Sequence, residues 1–166
     1  NGKIHSMGEL QKNTSLLGVD INGSYRVIVF GMTNESMARG DFKAKVKDID
    51  VLSDLIRSRI SKAKIHNDLD KIVVIQEVER EQTQEEYRKN IKKIAEQVQA
   101  DVARYNKYLK IKAGAGRVVD GIINLPESFK EANEAFMFVD VAGETPEDGG
   151  PQIMLFADLG IFKLLC

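Results

Sequence analysis

Two places in this chain carry residue types at a spacing that could do chemistry: Asn67-Asp68-Leu69-Asp70, and Gly114-Ala115-Gly116-Arg117. Paired carboxylates such as Asp68 and Asp70 can hold a divalent cation through oxygen. The plainer reading is a turn, because Asn and Asp bond their own backbone in turns. Glycine N–H groups beside a guanidinium can hold an anion. That makes Gly114, Gly116 and Arg117 the candidate ligand-binding residues. The competing reading is a strand end relieved by glycine. The spacing is too short for a dinucleotide fingerprint. His5 lies in the N-terminal arm and His66 beside the turn, and the one cysteine is Cys166. No zinc-ligand spacing and no nucleophile triad result. No catalytic residue, metal or cofactor is expected.

Composition narrows the classes. The chain has 166 residues, 43% apolar and 30% charged, enough for one folded domain with a real core. Lys and Arg number 24 against 25 Asp and Glu, a net charge of −1. Nucleic-acid binding by this chain alone is therefore not expected, because phosphates need a basic excess. No apolar run reaches the length of a membrane span. A single cysteine suits a reducing compartment, so a cytoplasmic location is expected. The Asn-x-Ser/Thr matches at Asn13, Asn22 and Asn34 read as chance.

The elements that must position these residues follow from periodicity. Met7, Leu10, Thr14 and Leu17 predict a short amphipathic helix in an arm over 1–18. Tyr25 to Phe30 reads as a buried strand, and Gly31 to Gly40 as a loop. Phe42, Val46, Ile49, Leu52, Ile56, Ile60 and Ala63 mark one face of a helix over Asp41 to Ala63. Lys64 to His66 and Lys71 to Val78 predict a hairpin with a four-residue turn. Thr83 and Glu86 form a capping box for a helix reaching Lys107, whose outer face carries Arg88, Lys89, Lys92, Lys93 and Glu96. A solvated face explains that charge pattern better than a DNA-binding stripe does.

Leu109, Ile111 and Ala113 alternate with lysines, as in a half-exposed strand. Pro126 suits the first turn of a helix with Phe129, Ala132, Phe136 and Val139 inside. Ile153 to Phe156 is the last strand, and Asp158 then stands where a helix N-cap belongs. The order of elements predicts an α+β fold with helices packed on a sheet, close to a ferredoxin-like or polymerase-palm arrangement with an antiparallel component. The main domain is expected over 19–157. Residues 158–166 are expected to begin a helix toward a further region, with Leu159, Ile161, Phe162 and Leu165 making interdomain contacts.

Three ordered segments carry a resemblance: Leu17-Gly18-Val19-Asp20; Gly114-Ala115-Gly116-Arg117 with Ser128-Phe129-Lys130-Glu131-Ala132-Asn133-Glu134-Ala135; and Phe156-Ala157-Asp158-Leu159-Gly160-Ile161-Phe162-Lys163-Leu164-Leu165. Together they resemble the central GGDEF-like domain of PucR-type transcriptional regulators, the group of purine-catabolism and sugar-diacid (CdaR-type) regulators. The resemblance implies a ligand-sensing region before this domain and a DNA-binding helix-turn-helix after it.

It also implies a fold similar to that of diguanylate cyclases, a nucleotide-cyclase palm-like sheet with helices packed on it, here in a degenerate GGDEF-like form. A cyclase needs a Gly-Gly-Asp/Glu-Glu-Phe hairpin, where this chain has Asp68-Leu69-Asp70-Lys71-Ile72, with Asp70 the one candidate match. It needs carboxylates at the end of the first strand for Mg²⁺, where this chain has Phe30-Gly31-Met32-Thr33. The inhibitory Arg-x-x-Asp is replaced by Arg59-Ile60-Ser61-Lys62.

The leading expectation is a non-catalytic regulatory domain that self-associates or contacts other domains, with DNA reached only through a region outside this chain. The alternatives are a sensor of an anionic small molecule and, behind it, a nucleotide cyclase.

Overall fold

The structure, a computed structural model, describes residues 20–142, 146 and 149–160. The helix expected over residues 7–17, and Ile161, Phe162 and Leu165, lie outside them. Strand β1, Ser24–Met32, runs through the middle of the sheet and is buried along its whole length. Such a strand reads as a continuous β-branched and aromatic run because both of its faces are covered. Helix α1, Asn34–Met37, interrupts the expected loop, with Thr33 as its N-cap. Helix α2, Phe42–Arg59, starts at Asp41, whose carboxylate accepts from the Ala44 N–H at 2.9 Å. Strands β2, Ala63–Asp68, and β3, Lys71–Val78, form an antiparallel hairpin.

Helix α3, Gln84–Tyr105, carries the expected capping box of Thr83 and Glu86. Then come β4 (Ile111–Ala115), the short β5 (Val119–Asp120), α4 (Leu125–Ala142) and β6 (Gln152–Leu155). The sheet order is β2-β3-β1-β4-β6, with β5 paired to β1. All pairs are antiparallel except β4 with β6.

Alternation divides β1 between two layers. Ile28, Phe30 and Met32 face Ile49, Leu52 and Ile56 of α2 and Ile91, Ala95 and Val98 of α3. Val27 and Val29 face α4 through Ala132 and Phe136. Burying one such aliphatic side chain contributes roughly 1.5–3 kcal/mol.

Several boundaries differ from expectation. The hairpin turn has two residues, Leu69 and Asp70, because Asp68 pairs directly with Lys71. Ala63 belongs to β2, not α2. Phe42 is 79% exposed and Val46 43%, so the buried face of α2 begins only at Ile49. Phe129 is 39% exposed, while Ser128, Ala132, Ala135 and Val139 form the buried side of α4. Strand β4 is buried throughout, not half-exposed. Its Lys112 lies over the Phe136 ring, 4.6 Å from the centroid, and pairs with Asp140 at 2.5 Å.

Candidate functional site

The C-terminal end of β1 and the hairpin turn meet at one end of the sheet's strands. Gly31 pairs with Lys71 on one side and Lys112 on the other. A Cβ at Gly31 would stand 2.7 Å from Cζ of Phe136 and 3.3 Å from the Asp70 carbonyl oxygen. Phe30 and Met32, 0% and 3% exposed, point into the α2–α3 layer. Thr33 spends its hydroxyl on the cap of α1. Asp68 and Asp70 stay at the exposed hairpin tip, and His66 is exposed on β2. Among the described residues, no three His, Cys, Asp or Glu side chains gather in a way that could hold a metal ion.

The glycine-arginine run is a packing lane. At Gly114 a Cβ would lie 2.6 Å from Phe136 Cα and 2.7 Å from the Ala132 carbonyl oxygen. At Gly116 it would lie 2.7 Å from Ser128 Oγ. Both glycines therefore let the α4 backbone come down onto β4. The Ser128 hydroxyl fastens the contact: it donates to the Arg117 carbonyl at 2.8 Å and accepts from the Val27 N–H at 3.0 Å. Arg117 donates to the buried Glu131 carboxylate from its backbone N–H at 3.0 Å and from its guanidinium at 2.6 Å. The side-chain hydrogen bonds to the Glu131 carboxylate, with its charge, raise the Arg117 pKa. The guanidinium also lies 5.2 Å from the Phe156 ring centroid. An anion arriving here competes with Glu131.

The last described segment is tied down differently from expectation. Leu159, expected to face another domain, is 1% exposed and packs with Ala135, Val139 and Met154 inside this one. It fills the gap between α4 and β6. The Asp158 carboxylate accepts two bonds from Arg88 of α3, at 2.6 and 2.8 Å. Those bonds hold its pKa below the ordinary carboxylate value.

One cluster escaped the sequence reading. Arg26 is 2% exposed in β1, and among the described residues it is met by neutral acceptors, not by a carboxylate. Its guanidinium donates to Gln76 Oε1 (2.8 Å), the Tyr87 carbonyl (2.9 Å) and Asn90 Oδ1 (2.6 Å). Burial pushes its pKa down to about 10. The available signal was an arginine inside an otherwise apolar strand, a position that needs a full set of acceptors. Gln76 and Asn90 also line a polar cavity of about 560 Å³ between β3 and α3, with Lys62 and Lys93. A second cavity, about 470 Å³, lies beside α1 and includes Arg39, Tyr108 and Lys110.

A five-stranded core sheet of order β2-β3-β1-β4-β6, with two helices on one face and one on the other, defines the class: a nucleotide-cyclase palm-like fold. The family model described as "GGDEF-like domain" matches residues 1–137, and the chain belongs to that family. Among solved structures it is similar to the active GGEEF domain of a diguanylate cyclase from Vibrio cholerae. That match has a TM-score of 0.56 and 12% identity, covering 87% of this chain and 88% of that one.

An EAL/GGDEF domain protein from M. capsulatus matches at TM-score 0.54 and 10% identity, covering 81% and 85% of the two chains. The GGDEF domain of YfiN (TpbB) from Pseudomonas aeruginosa matches at TM-score 0.54 and 9% identity, covering 86% and 87%. At these identities the likeness concerns the fold. No curated protein matches. The Mg²⁺ that cyclase chemistry requires does not fit the residues at the end of β1, which bring no carboxylate there.

Proposed function

We propose that this is a non-catalytic regulatory domain of a transcriptional regulator of the PucR/CdaR type, linking a sensor region to a helix-turn-helix outside this chain. The observation that carries the reading is that the strand ends around Gly31 are filled. Gly31 lies under the Phe136 ring, and the turn that would approach a nucleotide through glycines is Leu69-Asp70. The helices are fastened where a relay needs stiffness. Lys112–Asp140 and Arg117–Glu131 hold α4 to the sheet, and Arg88–Asp158 holds the segment after β6 to α3. A shift of α3 is then felt directly at Asp158.

The experiment is incubation with GTP and Mg²⁺, read by chromatography, beside the sequence of the parent gene. No cyclic dinucleotide is expected, and a helix-turn-helix is expected within about a hundred residues downstream, the size of a small domain. Product formation that Asp70→Ala abolishes overturns the non-catalytic reading. A parent gene without a DNA-binding region overturns the regulator.

A further inference from the structure

We propose that two copies of this chain pair about a two-fold axis, the hairpin tip of each seated on the first two turns of α2 of the other. This deepens the regulatory reading, on which it rests for its purpose, by naming the self-association surface.

Leu69 is 88% exposed at the hairpin tip, and Phe42 and Val46 are 79% and 43% exposed one turn apart on α2. These three large apolar side chains are exposed together toward one end of the molecule. Leu69 also sits at φ +51°. Glycine or asparagine adopts that left-handed conformation at much lower cost than leucine. A bulky apolar residue kept in a strained, fully exposed place is best explained by a contact made there.

The charges identify the partner. Leu69 is framed by the exposed carboxylates Asp68 and Asp70. Phe42 and Val46 are framed by the exposed Lys43 and Lys47, with the half-buried Lys45 between them. The acids of α2 are already turned to neighbours. Asp41 caps the helix, Asp48 accepts from the Tyr105 hydroxyl at 3.0 Å, and Asp50 accepts from Asn67 Nδ2 at 3.5 Å.

An apolar knob with a negative rim thus lies beside an apolar seat with a positive rim. The Asn67–Asp50 contact places both at one end of the molecule. Knob and seat on one surface satisfy the condition for an isologous pair, in which each copy gives what it receives. Electrostatic complementarity of this kind fixes the partner more than it adds affinity.

Sedimentation velocity on the full chain from about 1 µM to 1 mM, a span that brackets weak self-association, tests the pairing. The wild type is expected to dimerise, and more weakly as salt rises. Asp68→Lys with Asp70→Lys makes both rims positive, and Lys43→Glu with Lys47→Glu makes both negative. Each variant alone is expected to weaken the dimer roughly tenfold or more. An equimolar mixture of the two restores opposite charges at both contacts and is expected to recover wild-type association.

Leu69→Asn separates docking from folding. It relieves the left-handed strain, so its thermal midpoint is expected to equal or exceed the wild type's while dimerisation is lost. A monomeric wild type, charge-reversed variants that still dimerise, or a mixture that stays monomeric overturns the pairing. None of these outcomes touches the non-catalytic reading, which the GTP incubation decides.

Discussion

Replacing Gly114 with alanine tests whether the glycine lane is a seat for α4. The added Cβ would stand 2.6 Å from Phe136 Cα and 2.7 Å from the Ala132 carbonyl oxygen, and closer still to the Phe136 N. Carbon atoms pack at about 3.5–4.0 Å, so α4 must retreat by roughly 1 Å. Overpacking of this kind costs about 1–3 kcal/mol. The stiffer unfolded chain gives back about 0.4–1 kcal/mol. The retreat also lengthens Lys112–Asp140 and Arg117–Glu131, which places the net loss near 2 kcal/mol. In a domain of this size each kcal/mol moves the thermal midpoint by about 2–4 °C, so a fall of about 4–8 °C is expected.

Gly31→Ala is the informative companion. Its nearest obstacle is Cζ of Phe136, the far end of a side chain, at 2.7 Å. Phe136→Leu should therefore relieve Gly31→Ala. It should not relieve Gly114→Ala, whose obstacles are backbone atoms. Calorimetry and urea unfolding on the two glycine variants, Phe136→Leu and the two double variants measure this. A Gly114→Ala protein within about 0.5 kcal/mol of wild type, the range of a surface substitution, refutes the lane. So does its rescue by Phe136→Leu.

Arg26→Lys keeps the charge but not the planar fork that reaches Gln76, Tyr87 and Asn90. A loss of about 2–4 kcal/mol in urea unfolding is expected, since bonds from a charged donor contribute about 1.5–3 kcal/mol each; equal stability would mean that the fork does not hold α3 to the sheet. Asp158→Asn should cost about 1 kcal/mol or less at pH 7, because the side chains of the Arg88–Asp158 pair are 43% and 34% exposed. Arg88 depresses the folded pKa of Asp158, so its contribution is complete above the ordinary value of 3.8 and disappears as pH falls through the depressed one. The gap between wild type and variant should therefore close below pH 3.8, and a gap that stays constant down to pH 2 would contradict the ion pair.

What the sequence disclosed depended on range. The Thr83 and Glu86 box, the long apolar run of β1 and the α2, α3 and α4 periodicities are local signals, and each found its element, although Phe42, Val46 and Phe129 fall outside the buried faces and α2 ends at Arg59. The two-residue turn was not legible, because Asn67-Asp68-Leu69-Asp70 has the composition of a longer one and only the pairing of Asp68 with Lys71 closes it. Nor was the burial of Lys112, which depends on Asp140 and Phe136 arriving from a helix over twenty residues away. Gly114 to Arg117 shows the limit most directly. Glycines that let a backbone approach have one signature, whether the approaching group is a phosphate or a helix. Glu131, which settles the partner of Arg117, lies in the next element.

The same packing bears on the non-catalytic proposal. Each residue at the end of β1 already has an assignment. Phe30 and Met32 fill the α2–α3 layer, Gly31 admits the Phe136 ring, and Thr33 caps α1. A carboxylate at Phe30 or Met32 would be buried among aliphatic side chains at a cost of several kcal/mol. One at position 31 would meet Phe136 and face the Asp70 carbonyl oxygen. Building a metal site at the end of β1 would therefore require moving α4 as well as changing the strand. Movement of α4 is opposed by the Ser128, Glu131 and Asp140 contacts together. The non-catalytic reading rests on this coupling between helix and strand more than on any single missing acid.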